Sequence, residues 1–263
     1  MAQSISPSVA LTSPPLLVRL LQGSSAFANS ARVWLGLVAF LGVVNLFMTF
    51  VGAGLERDPR STLFSWPVIA AVGLVGLAGI WLSHRTGFPA AWDGRISDRQ
   101  RFVIPAVLGV GLGLLQSGLD TVFHWTQFFA QFSGLPSYNA PWPGSPLFYA
   151  GGAIWVEVFY RLLPVPLLLW LVSNLLLRGG AQAQVFWVLA VLSSLIEPAT
   201  QDLDGFRFGA SVLFVGSQFV PDFLLNLTQV VMFRNFGLLA SIVTRIGFYL
   251  IWHVAYGNFI CAC

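Results

Sequence analysis

A run of apolar residues from Leu147 to Leu177, LFYAGGAIWVEVFYRLLPVPLLLWLVSNLLL, contains only two charged residues, Glu157 and Arg161. A helix of about 20 apolar residues is long enough to cross a bilayer. A charge at bilayer depth costs about 2.5–3.5 kcal/mol on insertion scales, so charged residues there are paired or functional. A spacing of four residues, with the glutamate first, places both side chains on one helix face. Glu157 and Arg161 therefore form either a self-neutralised structural pair or part of a functional site.

The composition of the whole chain is typical of a membrane protein. Of its 263 residues, 56% are hydrophobic and 9% are charged, whereas soluble domains carry about 25% charged residues. All 13 basic residues are arginines, and they are scattered without forming a basic tract. We therefore exclude soluble globular classes and expect no nucleic-acid partner. The expected principal partner is the lipid bilayer.

The apolar segments predict an all-α, polytopic transmembrane helix bundle of about seven spans. Residues 1–31 are rich in Ser, Ala and Pro, and Pro14–Leu21 fit a short interfacial helix. Residues 32–263 are expected to form a single transmembrane helical domain. Pro164 and Pro166 predict a break in the fourth span, and Glu197–Pro198 is expected to end the fifth. The predicted spans are about Val33–Gly54, Leu63–Ser83, Phe102–Leu119, Leu147 to beyond Glu157, Gln184–Ile196, Phe208–Phe233 and Phe236–Ile260.

The positions of the arginines predict the orientation of the bundle. Four arginines lie between the second and third spans, in residues 85–101, and none lies in residues 120–146. The positive-inside rule makes the first segment cytoplasmic and the second external. This orientation predicts a cytoplasmic N-terminus in the inner, or plasma, membrane of the cell. The aromatic, uncharged external segment is expected to lie on the membrane surface, with a substrate lid as the alternative.

Two further spans carry polar residues at helical spacing. Gln218, Asp222, Asn226 and Gln229 form one stripe on the sixth predicted span, and Arg245, Tyr249 and His253 form another on the seventh. Polar stripes avoid lipid, so we expect them to face a shared interior with Glu157, Arg161 and Glu197. Three acids, two arginines and a histidine would nearly balance in a salt-bridge network. The same groups could instead hold a water molecule for hydrolysis.

A metal centre is not expected from these residues. Catalytic zinc is held by three protein ligands, usually including two or more histidines. His253 is the only histidine within a predicted span, because His84 and His124 lie near span ends on opposite predicted sides. We therefore predict no metal and no other cofactor.

Three segments give the chain a resemblance to the CAAX-protease and bacteriocin-processing (CPBP, or ABI) family of intramembrane proteases. YAGGAIWVEVFYRLL resembles the family's EExxxR helix, FWVLAVLSSLI resembles its FxxxH helix, and FRNFGLLASIVTR resembles the segment leading into its HxxxN/D motif. The resemblance covers about residues 100–255. It implies a multi-helix membrane core in which a glutamate, two histidines and an asparagine activate water to cut peptides near the membrane.

Carried over position by position, the resemblance matches Glu157 to the second glutamate and Arg161 to the arginine. Val156 stands at the first glutamate, the family's presumed general base. The FxxxH histidine falls near Thr200, while Arg245 stands at the last histidine and Tyr249 at the Asn or Asp. Glu197 and His253 lie close enough in sequence to be considered as substitutes.

Three functions follow as expectations. The first is a non-catalytic protease homologue that holds a membrane-associated peptide or partner protein. The second is a CPBP-type membrane endopeptidase in which Glu157 is the base, His253 its acid/base partner and Arg161 an orienting residue, with Glu197 in support. The third is proton or cation transport through Glu157, Glu197 and Asp222. In all three, Asp222, Asn226, Arg245 and Tyr249 belong to the polar network, and the missing histidines favour the first.

Overall fold

The computed structural model describes residues 16–52, 55, 58–132 and 138–261, and these residues form helices and connecting loops without any strand. The first half contains four helices: α1 (Leu16–Val51), α2 (Trp66–Arg85), α3 (Ile104–Phe123) and the short α4 (Trp125–Ala130). α1 is continuous from Leu16, so the residues expected to form a separate interfacial helix belong to it where they are described. A 3₁₀ turn (Pro59–Phe64) precedes α2, and a π-helical turn (Arg99–Val103) leads into α3.

The fourth predicted span is a succession of α- and π-helical segments. α5 (Ser145–Glu157) passes into a π turn (Val158–Leu162), then into α6 (Pro164–Leu169) and a second π turn (Trp170–Leu176). Pro164 and Pro166 lack the N–H groups that would bond to the carbonyls of Tyr160 and Leu162. The π turn ends just before Pro164, and α6 starts at Pro164, where a proline N–H is not needed. Gly79 of α2 packs directly on the Leu162 carbonyl, where a Cβ would lie 2.6 Å from the oxygen.

The second half of the chain begins with α7 (Gln182–Gln201) and α8 (Asp204–Arg207). The prediction that the fifth span ends at Glu197–Pro198 was wrong. Pro198 lies inside α7, and its carbonyl accepts a hydrogen bond from the Asp202 N–H at 2.8 Å. The helix therefore accommodates the missing proline N–H and extends one further turn. α9 (Val212–Phe236), α10 (Leu238–Tyr249), a π turn (Leu250–Tyr256) and α11 (Gly257–Phe259) complete the fold.

Six helical segments of the described chain are long and apolar enough to cross a membrane, which is compatible with an integral membrane protein. They are Ala26–Val51, Trp66–Arg85, Arg99–Phe123, Ser145–Leu176, Gln182–Arg207 and Leu238–Phe259. They correspond to six of the seven predicted spans. The remaining predicted span is α9, which is 25 residues long but is more polar than these six.

Contacts between helices define the two ends of the bundle. At the arginine-rich end, the Thr86 carbonyl accepts hydrogen bonds from Gln182 Nε2 at 2.8 Å and from Arg234 Nη1 at 3.1 Å. This contact joins the start of α7 to the end of α9. At the opposite end, Gly205 packs against Val215, near the start of α9. α9 is therefore antiparallel to α7 and covers the same distance along the bundle.

Glycines bring α3 and α10 together in a parallel arrangement. A Cβ on Gly109 would lie 2.1 Å from the Thr244 carbonyl oxygen, and a Cβ on Gly113 would lie 2.9 Å from the Phe248 carbonyl oxygen. Small residues allow such close backbone approach between membrane helices. Because the contacts advance in the same direction on both helices, α3 and α10 are parallel. This packing fixes the position of α10, which carries Arg245.

Candidate functional site

A cluster of polar side chains lies inside the bundle where α5, α7, α9 and α10 meet. We call it the buried network. Each member is at most 5% exposed: Glu157, Arg161, Glu197, Asn226, Gln229, Ser241 and Arg245. Asn226 and Gln229 of the stripe predicted on α9 and Arg245 of the stripe predicted on α10 therefore face a common interior with Glu157, Arg161 and Glu197.

Arg245 uses every nitrogen of its guanidinium group within the network. Nη1 and Nη2 donate to the two carboxylate oxygens of Glu197 at 2.8 and 2.6 Å. Nε donates to Gln229 Oε1 at 2.8 Å, and Nη2 also reaches Asn226 Oδ1 at 3.0 Å. Nη1 further contacts the Tyr249 hydroxyl at 3.2 Å. A two-pronged arginine–carboxylate pair of this kind is strong and fixes the relative geometry of its helices.

Arg161 lies beside Arg245 and shares its acceptors. Its Nη2 donates to Asn226 Oδ1 and, at 2.8 Å, to Gln229 Oε1. Its guanidinium also lies 3.5 Å from Glu157 Oε2 and 3.7 Å from Glu197 Oε2. Two arginines are thus held together by two carboxylates and two amide oxygens. This arrangement lowers the cost of placing two like charges in a buried site.

Glu157 occupies the inner side of the network. It is fully buried, and its Oε2 accepts a hydrogen bond from Ser241 Oγ at 2.6 Å. Its Oε1 has no hydrogen-bond partner among the described residues. The π turn that starts at Val158 immediately follows Glu157 and contains Arg161. Such turns are often found at functional sites, and this one sets the direction in which Arg161 projects.

A cavity of about 310 Å³ opens next to the network on the side of α8 and the start of α9; we call it the first cavity. Glu197 and Arg245 form its floor, and Gln218 and Asp222 line its side. Its other walls are largely aromatic. These aromatic residues are Phe129, Phe132, Tyr138, Phe208, Phe248, Tyr249 and Trp252.

A second cavity, also of about 310 Å³, adjoins the first. The two share four lining residues: Tyr138, Gln201, Tyr249 and His253. The remaining walls of the second cavity are mainly apolar and include Leu63, Phe64, Phe148, Trp155 and Val156. Burial raises the pKa of the shared Tyr138 phenol, so this hydroxyl stays protonated. Glu157 lines neither cavity.

Three of the predicted site residues are not members of the buried network: His253, Asp222 and Tyr249, of which Tyr249 contacts Arg245 Nη1. His253 lines both cavities, its Nδ1 is 2.7 Å from Asn139 Oδ1, and its ring stacks on Tyr149 at 4.3 Å. Asp222 lies at the edge of the network, where its main-chain carbonyl accepts a hydrogen bond from Asn226 Nδ2 at 2.8 Å. The structure therefore brings Glu157, Arg161 and Glu197 together but places His253 with a different set of partners.

Sequence reasoning missed Ser241 and Asn139 as partners. Ser241 lies four residues before Arg245, so it continues the stripe of Arg245 and Tyr249 by one more helical turn. Asn139 lies in the loop before α5, where no periodicity marks it. Within the described chain, no group of three or more His, Cys, Asp or Glu side chains is placed to hold a metal ion.

Comparison of the chain with family models, with curated proteins and with solved structures found no match in any of the three.

Proposed function

We propose that this protein is a non-catalytic, CPBP-like integral membrane protein that holds a membrane-associated peptide or partner segment in its two adjoining cavities. The observation that carries the proposal is that two open cavities adjoin a network whose charged side chains are paired with one another. The cavities offer about 310 Å³ each beside a shared wall. The charged residues of the network pair with one another. Such pairing is expected of residues that stabilise a fold rather than of residues that carry out a reaction.

The hydrogen bonding of the charged groups argues against a hydrolytic centre. A general base must reach the proton it removes at about 2.6–3.2 Å, directly or through one water. Glu157 lines neither cavity and accepts from Ser241. Glu197 does line the first cavity, but both its oxygens accept from Arg245. The hydrogen bond found for His253, the expected proton-transfer partner, is made by Nδ1 to Asn139 and not to Glu157 or Glu197.

The positions that resemble CPBP motifs support a non-catalytic homologue, because they line the cavities but do not carry the family's catalytic residues. Val156, at the position of the family's first glutamate, lines the second cavity. Arg245 and Tyr249, at the positions of the last histidine and the Asn or Asp, line the first. At these positions a protease would need proton-transfer groups. The chain instead has the apolar Val156, the paired Arg245 and the phenol of Tyr249.

We propose further that α9 crosses the membrane, giving seven spans. α9 is 25 residues long, about 37 Å at 1.5 Å per residue, which exceeds a hydrocarbon thickness of about 30 Å. Between parallel α3 and α10 the chain traverses the bundle as α5 and its extension, α7 and α9. If α9 did not cross, α10 would run antiparallel to α3. With the arginine-rich end in the cytoplasm, both cavities open toward the external side.

Cysteine labelling tests this topology. Single cysteines replace Arg207, which precedes α9, and Asn235, in its last turn; both residues are exposed. The parent chain has Cys261 and Cys263 changed to serine. We expect a membrane-impermeant reagent to label Arg207→Cys from the external side and Asn235→Cys from the cytoplasmic side. Labelling of both from one side would rule out a seventh crossing.

A matched pair of glycine substitutions tests binding in the cavities. Gly152 lines the second cavity, and a Cβ built on it meets no atom within 4 Å. Gly152→Leu should therefore fill the cavity without disturbing the helix and weaken binding of fluorescent apolar peptides to the protein in nanodiscs. Gly111→Leu is the control, because Gly111 is equally unobstructed and lies outside both cavities. Equal peptide affinity in both variants would contradict the proposal.

The same peptides test for hydrolysis. Glu157→Gln keeps the shape of the side chain while removing its charge. A binder should leave every peptide intact before and after this change, as followed by mass spectrometry. Reproducible cleavage by the purified protein that is lost in Glu157→Gln would establish the endopeptidase instead.

A further inference from the structure

At the arginine-rich end of the bundle, three parts of the chain meet at the end of α2. The Thr86 carbonyl accepts hydrogen bonds from Gln182 of α7 and from Arg234 of α9. The Arg85 carbonyl accepts a hydrogen bond from Asn174 Nδ2 at 3.4 Å, and Asn174 belongs to the second π turn of the fourth span. Residues that are distant in sequence are therefore brought together around Arg85 and Thr86.

The turn that follows Asn174 adds Arg178 to this place. The Gly179 N–H donates to the Ser173 carbonyl at 2.8 Å, which folds the turn back onto the π turn beside α2. Arg178 itself has a φ of 51°, in the left-handed region that residues other than glycine seldom adopt. An uncommon conformation of this kind supports a role for the Arg178 side chain.

Three arginines of this end form no ion pair within the described chain. We call the surface that they make, Arg85, Arg178 and Arg234, the arginine junction. Arg85 and Arg178 are exposed, and Arg234 is half-buried. The Arg85 guanidinium lies over the ring of Trp81, 4.9 Å from its centroid. Contacts with a ring and with the Thr86 carbonyl leave the positive charges of the junction without a neutralising anion.

The acidic residues nearest to this end are paired with other arginines. Residues 85–101 contain two carboxylates, Asp93 and Asp98. Asp93 pairs with Arg95 at 2.7 Å, and Asp98 pairs with Arg101 at 2.9 Å. The arginine junction therefore keeps a positive charge that the described residues do not offset.

The residues on the membrane side of these arginines are apolar and exposed. Trp81, one helical turn before Arg85, is 45% exposed, and Leu175 and Leu176, shortly before Arg178, are 60% and 71% exposed. Tryptophan is enriched at the level of the lipid headgroups, where its ring meets both the apolar and the aqueous phase. The surface therefore combines cationic groups with an adjoining apolar face, as a phospholipid combines an anionic phosphate with acyl chains.

We propose that the arginine junction binds an anionic phospholipid, with the phosphate at Arg85 and Arg178 and an acyl chain beside Trp81. A guanidinium group fits phosphate oxygens with two parallel hydrogen bonds. The proposed topology places this end in the cytoplasm, and the cytoplasmic leaflet carries anionic lipids that attract arginines near its surface. This inference goes beyond the peptide-holding function and does not depend on it.

Native mass spectrometry of the purified full-length protein tests the proposal. The protein is equilibrated in a neutral detergent with equal amounts of phosphatidylglycerol and phosphatidylcholine that have the same acyl chains. Each arginine near a membrane surface contributes roughly fivefold, so Arg85 and Arg178 together should enrich bound phosphatidylglycerol about 25-fold. High salt should reduce this enrichment, because exposed charges are screened. Equal binding of the two lipids at low salt would overturn the proposal.

Variants locate the bound lipid. Arg85→Gln/Arg178→Gln should reduce the enrichment to about twofold or less, whereas Arg85→Lys/Arg178→Lys should keep most of it because the charges remain. Arg99→Gln is the matched control for Arg85→Gln, since Arg99 is exposed at the same end but lies in the turn before α3. If these two single variants lower the enrichment equally, the attraction is diffuse and the arginine junction is not a site.

Two soluble competitors distinguish a lipid from a free phosphate compound. Inorganic phosphate and glycerol 3-phosphate carry the anionic group without acyl chains. Neither should displace phosphatidylglycerol at millimolar concentration, because the apolar contacts beside Trp81 are lost. Displacement by either compound, with the same loss in Arg85→Gln/Arg178→Gln, would show that the junction binds a soluble phosphate and that the lipid assignment is wrong.

Discussion

The buried network and the first cavity are built from the same kinds of residue but differ in how their polar atoms are satisfied. In the network, each guanidinium contacts several carboxylate or amide oxygens, and Gln229 bridges both arginines. Glu157 Oε1 and Arg161 Nη1 have no hydrogen-bond partner among the described residues, but neither residue lines a cavity. Beside the first cavity, Gln218 Oε1 is buried and has no donor among the described residues; the same holds for both carboxylate oxygens of Asp202, which does not line the cavity. Groups satisfied by each other hold helices together, whereas a buried polar atom without a partner adds no such contact between helices.

The largest expected effect comes from breaking the Arg245–Glu197 pair. Arg245→Leu leaves the buried Glu197 carboxylate with its longer ion-pair contact, 3.7 Å to Arg161, and removing one partner of a buried pair costs about 3–5 kcal/mol. The double variant Arg245→Leu/Glu197→Leu should recover much of that loss. Thermal unfolding in detergent measures both.

Arg95→Leu serves as the control for this pair of variants, because Arg95 also pairs with a carboxylate but its side chain is 87% exposed. Exposed pairs contribute about 0–1 kcal/mol. If Arg245→Leu is no more destabilising than Arg95→Leu, the network does not hold the bundle together.

A smaller loss is expected at Gln229. Its Oε1 accepts from Arg161 and Arg245, and its Nε2 donates to the Ser241 carbonyl at 3.3 Å. Gln229→Met keeps the approximate shape but removes all three bonds, so we expect a loss of about 1–3 kcal/mol in the free energy of unfolding. Chemical denaturation of the purified protein would detect it. An unchanged denaturation midpoint would mean that water or neighbouring groups replace the amide.

Ser241→Ala should have a milder effect. It removes the hydrogen bond to Glu157 Oε2, while Arg161 still faces that oxygen at 3.5 Å. A hydrogen bond to a charged group contributes about 1.5–3 kcal/mol, and the remaining ion pair should reduce the loss to about 1 kcal/mol. The neighbouring Thr244→Ala is the control, since the Thr244 hydroxyl bonds only within its own helix, to the Ala240 carbonyl at 3.0 Å. Similar losses in both variants would show that Ser241 acts through α10 alone.

The sequence could predict the helices and the polar stripes because both depend on local periodicity. Spacings of four and three residues placed Asn226, Gln229 and Arg245 on interior faces without knowledge of their neighbours. The sequence could not predict that Arg245 pairs with Glu197 rather than with Asp222. That choice depends on the relative depth of α7, α9 and α10, which the close approach of α3 to α10 at Gly109 helps to set.

Other features depended on tertiary packing in the same way. The extension of α7 past Pro198 was missed because the sequence rule for proline treats a helix in isolation. His253 was grouped with Glu157 on the basis of shared burial, yet its partner Asn139 comes from a loop. The cavities form between helices and loops distant in sequence, so no pattern within one segment reveals them. Gln218 and Gln229 belong to the same predicted stripe, and only the packing around them distinguishes their roles.

The smallest effect on stability is expected for Gln218→Met, and it tests whether Gln218 and Gln229 differ in their contribution to the fold. Gln218→Met removes an amide whose oxygen is buried without a partner, so the unfolding free energy should stay within about 0.5–1 kcal/mol of wild type or rise slightly. The same substitution at Gln229, eleven residues later on the same helix, should be clearly destabilising. Chemical denaturation of the two variants side by side makes the comparison, since helix propensity and side-chain size change equally in both. A loss at Gln218 as large as that at Gln229 would show that the protein itself needs the Gln218 amide. The Gln218 side chain would then hold the bundle together as the Gln229 side chain does.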